Sequence, residues 1–211
     1  MNYMNIDVYT DGACSNNGRQ NAKAGIGIFF SENDSRNFYA RIEGKQTNNT
    51  AEILAILKAA DILKREILAG FTINIYSDSQ YAMRCCRDYG EKLEKINWKK
   101  DKPIPNLDFV KEAYYTFKER PNVIFRYIAA HTGLNDVHSI GNEGADKLAN
   151  LAIGQTECNS KPKKIYVKIP YDEKEHGKRL GAKWDPKKKK WYISPTLDIK
   201  SKETILNKWG K

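Results

Sequence analysis

The chain has 211 residues, a hydrophobic fraction of 40% and a formal net charge of +10. This length allows one ordinary domain with a small appendage, or two small domains. No apolar run approaches the roughly 20 residues that a membrane-spanning helix needs, and the N-terminus lacks the pattern of a secretory signal. We therefore expect a soluble intracellular protein, cytoplasmic or nuclear, with no membrane partner.

Positive charge is concentrated in the C-terminal quarter of the chain. Residues 1–155 hold 20 basic and 19 acidic side chains, whereas residues 156–211 hold 16 and 7. Such a surplus favours an anionic partner, most often nucleic acid, because Lys and Arg displace the counterions condensed on phosphate backbones. A solvated basic face that only aids solubility explains the charge equally well. The four cysteines show neither zinc-type spacing nor a disulfide framework, so we interpret them as reduced thiols.

The first three quarters of the chain alternate between strand and helix patterns. Apolar alternation and β-branched or aromatic enrichment predict five strands, at 5–10, 24–30, 37–43, 72–76 and 123–130. Helical spacing of apolar residues predicts helices at 50–68, 107–118 and about 143–153. Short turn-rich links between the first three strands imply antiparallel pairing. The pattern predicts an α/β domain over residues 1–153, with a mixed sheet flanked by helices.

A second, smaller module follows a predicted linker over residues 154–164, which is rich in polar residues, Pro and Lys. Residues 165–211 form a basic, aromatic-rich α+β module with strands at 165–170 and 191–193 and a short helix at 174–180. Aromatic rings among lysines are typical of nucleic-acid surfaces, where rings stack on bases and lysines contact phosphates. The alternative is that Trp184 and Trp191 form the small core, with Lys187 to Lys190 as a charged turn.

Four acidic residues stand where a predicted strand or helix ends or begins. Asp11 closes the first strand and Asp78 the fourth, so both project near the edge where the sheet meets its loops. Glu52 and Asp146 fall in the first turn of a predicted helix, where the macrodipole favours a carboxylate. Taken singly, each has an ordinary structural explanation as a turn former or a helix-start acid.

Taken together, four carboxylates at such positions indicate hydrolysis of a phosphodiester. Two Mg²⁺ ions held about 3.5–4 Å apart can clamp the attacking and the leaving oxygen of an in-line displacement. Mg²⁺ prefers hard oxygen ligands and keeps several waters, so a few carboxylates on rigid elements are sufficient. Without a cation, close carboxylates would repel one another and raise one another's pKa values. The set therefore implies a divalent cation.

Four segments around these acids resemble type 1 ribonuclease H, in order and at suitable spacing. They are TDGACSNNG at 10–18, TNNTAE at 47–52, YSDS at 76–79 and GNEGADKLA at 141–149. The resemblance covers about residues 6–153. It implies the ribonuclease H-like fold, a five-stranded sheet with three antiparallel strands followed by parallel ones.

The resemblance also implies an activity, which is endonucleolytic cleavage of the RNA strand of an RNA–DNA hybrid, leaving 5′-phosphate and 3′-hydroxyl ends. Carried over by motif, the four acids would be catalytic residues and would hold two Mg²⁺ ions, with Mn²⁺ as a substitute. The family places a histidine on a mobile loop before the last acid, where it assists proton transfer or product departure. His131 matches that motif best, but the loop is several residues longer than usual and contains His138 as an alternative.

Two groups of residues would contact the hybrid by resemblance. The first lies near the RNA strand, whose 2′-hydroxyl distinguishes it from DNA, and Glu52 would touch that hydroxyl as well. Its other members are Cys14, Asn16, Asn17, Asn48 and Asn49. The second group resembles a pocket for a DNA phosphate and consists of Lys45, Thr47 and Asn106. The alternative is an ordinary Asn-rich turn. Trp98 would either line the DNA strand or belong to the core.

Two competing hypotheses remain at this point. The same fold serves nucleases that act on DNA, so a DNA-directed nuclease is one alternative. A non-catalytic hybrid-binding protein is the other, although a binder would gain from losing carboxylates that face phosphates. We expect a monomer. The C-terminal module resembles a small domain of uncharacterised role that recurs beside plasmid and viral primases.

Overall fold

The structure is a computed structural model that describes residues 5–130, 136–155, 164–186, 188–194 and 197–210. The described residues divide into two compact units, one up to residue 130 and from 140 to 155, the other over 136–139 and from 164 onwards. Within the described ranges, no helix has the length and apolar character needed to cross a bilayer.

The first unit contains five strands and six helices. The strands are β1 (Asn5–Ser15), β2 (Lys23–Phe29), β3 (Phe38–Arg41), β4 (Thr72–Ser77) and β5 (Val123–Tyr127). The helices are α1 (Asn48–Ile62), α2 (Lys64–Leu68), α3 (Gln80–Cys86), α4 (Asp88–Lys95), α5 (Leu107–Phe117) and α6 (Val137–Ala152), the last of which begins in residues grouped with the second unit. The helix predicted over 50–68 is thus two helices, separated at Leu63.

The strands form one mixed sheet in the order β3-β2-β1-β4-β5. β1, β2 and β3 pair antiparallel, whereas β4 and β5 run parallel to β1 and to each other. Parallel pairing requires crossover connections, and α1 with α2 supplies the one between β3 and β4. The predicted fold class, three antiparallel strands followed by parallel ones, is confirmed.

The main core lies between the sheet and α1. Val8, Ile28 and Ile75 of the sheet are fully buried together with Ile53 and Ile56 of α1. These α1 residues are three apart, so they lie on one face of the helix. α3 and α5 contribute to the same core. The period-2 pattern of the strands and the 3.6 period of α1 therefore converge on one apolar layer.

The opposite face of the sheet packs closely against α6. A Cβ at Gly27 of β2 would overlap the backbone of Ala145, and one at Gly141 would overlap the ring of Tyr9. Glycines at this contact allow the helix and the sheet to approach. The sequence around Gly141 and Gly144 predicts a loop up to residue 142, which is wrong because these glycines provide close packing within a helix.

α6 therefore begins earlier than predicted, at Val137. The Asp136 carboxylate accepts hydrogen bonds from the backbone N–H groups of His138 and Ser139, at 3.0 and 3.1 Å, and from the Ser139 hydroxyl at 2.6 Å. Such bonds satisfy N–H groups that the first turn of a helix leaves free. Asp146 consequently lies in the middle of α6 rather than in its first turn.

The second unit is a small α+β arrangement. Its strands β6 (Ile165–Val167), β7 (Lys183–Asp185) and β8 (Lys190–Ile193) form an antiparallel sheet in the order β6-β8-β7. A 3₁₀ turn (Tyr171–Glu173) leads into α7 (Lys174–Arg179), and α8 (Ile199–Trp209) follows the sheet. The sequence did not predict β7 or α8. The buried core of the second unit consists of Val167, Ile169, Ala182, Ile193, Ile205 and Trp209.

Candidate active site

Three of the predicted acids converge at the centre of the main sheet. Asp11, Glu52 and Asp78 each offer a carboxylate oxygen, and these oxygens all lie within 4.8 Å of one another. Asp11 belongs to β1, and Asp78 directly follows the neighbouring strand β4. Because β1 and β4 are parallel, their adjacent positions bring the two carboxylates to the same place.

The sequence predicts that Asp11 closes the first strand, and this prediction is wrong. β1 continues to Ser15 because β2 pairs with it from Tyr9 to Ser15, whereas its pairing with β4 ends at Tyr9. Asp11 is therefore held inside a paired strand, opposite Gly27. This position is more rigid than a loop end.

Glu52 reaches the cluster because α1 lies against Gly12. A Cβ at Gly12 would overlap the backbone of Ala51 and Glu52, so only glycine allows this approach. α1 begins at Asn48, and the Thr47 hydroxyl caps it by accepting from the Thr50 N–H at 3.2 Å. Glu52 therefore lies in the second turn of α1 and not in the predicted first turn.

Asp146 approaches the cluster from α6, where its side chain lies close enough to Asp11 to raise the pKa of that carboxyl. The Asn150 side-chain amide donates to the Asp146 carboxylate at 3.0 Å and to its backbone carbonyl at 2.8 Å. Asn150 was missed by the sequence analysis. Its spacing of four residues from an acid on a helix is the signal that would have identified it.

The cluster is electrostatically strained in the absence of a cation. Burial raises the pKa of Asp11 well above its usual range, and the nearby charges of Asp78 and Asp146 raise it further. Burial likewise raises the pKa of Glu52, with further contributions from the charges of Asp11 and Asp78. Each shift means that the charged form is disfavoured where it stands.

The donor set fits a divalent cation. Glu52 is 5% exposed, and its Oε2 atom has no hydrogen-bond partner among the described residues. Leaving a buried carboxylate oxygen unpaired is costly, and a cation would remove that cost. Hard oxygen donors at close range are the ligands that Mg²⁺ prefers. The residues present therefore suit a magnesium-type site.

A second polar cluster lies beside the N-terminus of α1. The Lys45 ammonium donates to Asn106 Oδ1 at 3.1 Å, and the Thr50 hydroxyl donates to the same oxygen at 3.4 Å. The hydroxyls of Thr47 and Thr50 are 2.7 Å apart. The three residues of the predicted phosphate pocket are thus brought together, and Thr50 joins them although the sequence analysis did not identify it.

The remaining predicted contacts lie on β1, in the turn after it and at the start of α1. Asn48 donates to Glu52 Oε1 at 3.4 Å, and its own N–H donates to Asn17 Oδ1 at 3.3 Å. Asn16 and Asn49 are exposed, and Asn16 has a φ of 52°. Cys14 is half-buried on β1, with its thiol 3.6 Å from the Gln46 carbonyl.

The histidine and tryptophan predictions have different outcomes. His131 lies outside the described residues, so the choice between it and His138 stays a prediction. His138 is exposed in the first turn of α6. Trp98 is half-buried against the main core, and its indole N–H donates to the Tyr115 hydroxyl at 3.2 Å. The Trp98 ring therefore packs against the protein, as the core alternative predicts.

We expect Asn150→Ala to weaken the binding of a divalent cation at the carboxylates by roughly 10–100-fold, because Asn150 orients the Asp146 carboxylate. The measurement is a titration of the protein with Mn²⁺, followed by the loss of the electron paramagnetic resonance signal of the free ion. Leu151→Ala is the control at an exposed neighbouring position. An unchanged affinity for the cation would show that Asn150 has no role at the site.

Comparison with known proteins gives independent findings for the two units. A sequence model of the family described as RNase H matches residues 4–153. A second model, described as a domain of unknown function (DUF5710), matches residues 164–207.

Curated relatives are similar to the part of the chain that the first family model matches. The chain is 33% identical over 155 residues to ribonuclease H1 of Homo sapiens, which covers 72% of this chain and 51% of that protein. It is 31% identical over 153 residues to ribonuclease H of Orientia tsutsugamushi, covering 70% and 82% respectively. The chain thus spans about half the length of the human relative.

Solved structures are similar in fold. The RNase H domain of PFV has a TM-score of 0.57 at 22% identity and covers 71% of this chain and 94% of that one. A foamy viral protease-reverse transcriptase in complex with an RNA/DNA hybrid has a TM-score of 0.57 at 19% identity, covering 71% and 20%. At this identity the likeness supports the fold.

Proposed function

Because the chain belongs to the ribonuclease H family, we propose that it is an endoribonuclease that hydrolyses the RNA strand of RNA–DNA hybrids. The observation that carries the proposal is the convergence of Asp11, Glu52 and Asp78, with Asp146 in contact with Asp11. A non-catalytic protein would have no use for so costly a group of buried charges. The products would carry 5′-phosphate and 3′-hydroxyl ends.

The four carboxylates would hold two Mg²⁺ ions, for which Mn²⁺ can substitute. When bound there, divalent cations would lower the pKa of an attacking water and would stabilise negative charge on the departing 3′ oxygen. The chain itself supplies rigidity. Asp11 is fixed within a paired strand, Glu52 by the close contact of α1 with Gly12, and Asp146 by Asn150.

Two groups of side chains would position the hybrid. Lys45, Thr47 and Asn106, together with Thr50, form a compact polar cluster with one cationic group, which suits a DNA-strand phosphate. The RNA strand would lie against Cys14, Asn16, Asn17, Asn48 and Asn49, near the carboxylates. A structural neighbour with the same fold is itself in complex with an RNA/DNA hybrid, which supports this substrate class.

His131 would assist proton transfer or product departure, with His138 as the alternative. Replacing each in turn by alanine distinguishes them, because only the active histidine should change the pH profile of cleavage. We also propose that the protein acts as a monomer, since the four acids all come from one chain.

The substrate proposal is tested with end-labelled RNA–DNA hybrid, duplex RNA and duplex DNA, each incubated with Mg²⁺ and with EDTA. We expect cleavage of the RNA strand of the hybrid alone, and no cleavage in EDTA. Cleavage of duplex DNA would instead indicate a DNA-directed nuclease. Tight hybrid binding without any cleavage in Mg²⁺ would indicate a binding protein and would contradict the proposal.

We further propose that residues 1–153 form the catalytic domain, residues 154–164 a linker and residues 165–211 a domain that binds nucleic acid. The last of these carries most of the chain's excess positive charge. Deleting residues 156–211 should leave the cleavage rate at saturating hybrid intact, weaken hybrid affinity and flatten its salt dependence, because fewer counterions are released. Binding titrations at several salt concentrations measure this. An unchanged slope would mean that the module does not contact nucleic acid.

A further inference from the structure

A pocket of about 400 Å³ lies in the C-terminal unit, and two tryptophans line it. Trp184 of β7 and Trp191 of β8 are directly paired across the strands, so their side chains lie on the same face of the sheet. Their rings meet at an angle of 65°, with centroids 5.5 Å apart. Trp191 packs against the core of the unit, whereas Trp184 is 49% exposed. One ring therefore supports the other, which is open to a ligand.

Three lysines at this pocket have no acidic partner in the part of the chain that the structure describes. Lys168, Lys189 and Lys190 line it and are exposed, and none of them forms an ion pair among the described residues. None of the described residues that line the pocket is acidic. Three other lysines of the unit are paired with carboxylates: Lys164 with Asp185, Lys178 with Glu175 and Lys208 with Glu173. Three positive charges without such a partner therefore lie beside the exposed ring.

We propose that this pocket binds an unpaired nucleotide of a single-stranded nucleic acid, with the base stacked on Trp184 and the adjoining phosphates contacted by the three lysines. The proposal rests on the function proposed above for the C-terminal domain and specifies its ligand. It requires a ligand that is both flat and anionic, which a nucleotide is. The bases of a duplex are stacked on one another, so only an unpaired base offers a free ring face.

The size of the pocket agrees with this ligand. Ligand sites occupy roughly 300–1,000 Å³, and this pocket lies near the small end of that range. It can take one base with part of its backbone but not a duplex. The Trp184 ring is not one of the core residues of this unit, which include Val167, Ile193 and Trp209.

Tyr171 provides a matched control. It is another aromatic residue of the same unit, it is 81% exposed, and it does not line the pocket. The Lys174 ammonium already covers its ring, 3.8 Å from the ring centroid. If exposed aromatic surface near lysines were sufficient for binding, replacing Tyr171 or Trp184 would have the same effect.

The test is fluorescence anisotropy with the full-length protein in EDTA, using a labelled short oligothymidine strand and a blunt DNA duplex of equal length. We expect the single strand to bind more tightly than the duplex. Trp184→Ala should weaken single-strand binding by about tenfold, consistent with the loss of one base-stacking contact. Trp184→Phe should retain most of the affinity, and Tyr171→Ala should bind as the unaltered protein does.

A second variant tests the proposal independently of whether Trp184→Ala folds. Lys189→Gln combined with Lys190→Gln changes only exposed, unpaired side chains, so the fold should persist. It should lower the slope of log affinity against log salt by about one or more, because about 0.7 counterions are released per phosphate contact on a single strand. An unchanged slope would overturn the assignment of the lysines.

Three outcomes would overturn the proposal as a whole. The first is unchanged single-strand binding in Trp184→Ala, and the second is equal affinity for the single strand and the duplex. The third is that free thymidine monophosphate displaces the labelled strand at the same concentration as the unlabelled strand does. Hybrid cleavage in Mg²⁺ is measured in parallel and should persist in Trp184→Ala at saturating hybrid. If deletion of residues 156–211 weakens hybrid binding but Trp184→Ala does not change single-strand binding, the general function of the domain stands and this inference fails.

Discussion

Replacing Asp78 with asparagine is expected to lower the rate of hybrid cleavage by roughly a thousandfold, because one ligand of the proposed metal site loses its charge. One carboxylate oxygen of Asp78 lies within 4.8 Å of carboxylate oxygens of Asp11 and Glu52, so the three residues contribute to one centre. The measurement is single-turnover cleavage of a labelled hybrid at saturating Mg²⁺. Asparagine has nearly the same shape as aspartate, so charge is the main property that changes.

The stability of Asp78→Asn separates this explanation from misfolding. Removing one negative charge from a buried cluster relieves repulsion of Asp11 and Glu52, so the metal-free Tm should be unchanged or higher. Asp61→Asn is the matched control, because Asp61 lies on α1 but is 64% exposed and paired with Lys58. Cleavage that survives in Asp78→Asn would rule out the four-carboxylate account.

A methyl group added at Gly27 is expected to reduce both activity and stability. A Cβ there would overlap the backbone of Ala145 and Ala149, so α6 must move away from β2. Overpacking of this kind costs about 1–3 kcal/mol. Because Asp146 is carried by α6, a shift of about 1 Å should also lower kcat by roughly a hundredfold. Thermal unfolding and cleavage kinetics of Gly27→Ala measure the two effects.

Gly70→Ala separates the loss of stability from the loss of geometry. Gly70 has a φ of +83° and open space around its Cα, so alanine there strains the backbone without displacing a helix. It should lower the Tm but leave kcat unchanged below the unfolding temperature. If Gly70→Ala reduced kcat as much as Gly27→Ala does, a displaced Asp146 would not be the cause.

The four acids could be singled out from sequence because short motifs around them are specific in combination. Their exact structural settings could not, because those depend on tertiary contacts. Asp11 lies inside β1 only because β2 extends the pairing beyond the end of β4. Asp146 lies in the middle of α6 because Gly141 and Gly144 meet aromatic rings of the sheet rather than forming a turn. Glycine is compatible with both roles, and local sequence does not distinguish them.

Two polar partners of the predicted site residues could not be identified from the sequence either. Asn150 and Thr50 look like ordinary helix residues, and only the packed structure shows that one holds Asp146 and the other joins Lys45 and Asn106. In the C-terminal unit, β7 is three residues long and too short for a period to be read. α8 places Ile205 and Trp209 four residues apart, but the polar residues Asn207 and Lys208 lie between them and obscure the apolar stripe.

The rigidity of α1 has a consequence for where a substrate is cut. Thr47, at the phosphate-pocket end, and Glu52, in the carboxylate cluster, are five residues apart, or about 7.5 Å along the helix axis. Hydrogen bonding within the helix keeps this separation constant, whatever bases the hybrid contains. α1 would therefore keep a constant distance between the bound DNA phosphate and the carboxylates. The RNA strand would be cut at a fixed number of nucleotides from the position of that phosphate on the opposite strand. Position would be chosen by backbone geometry, with little dependence on base identity.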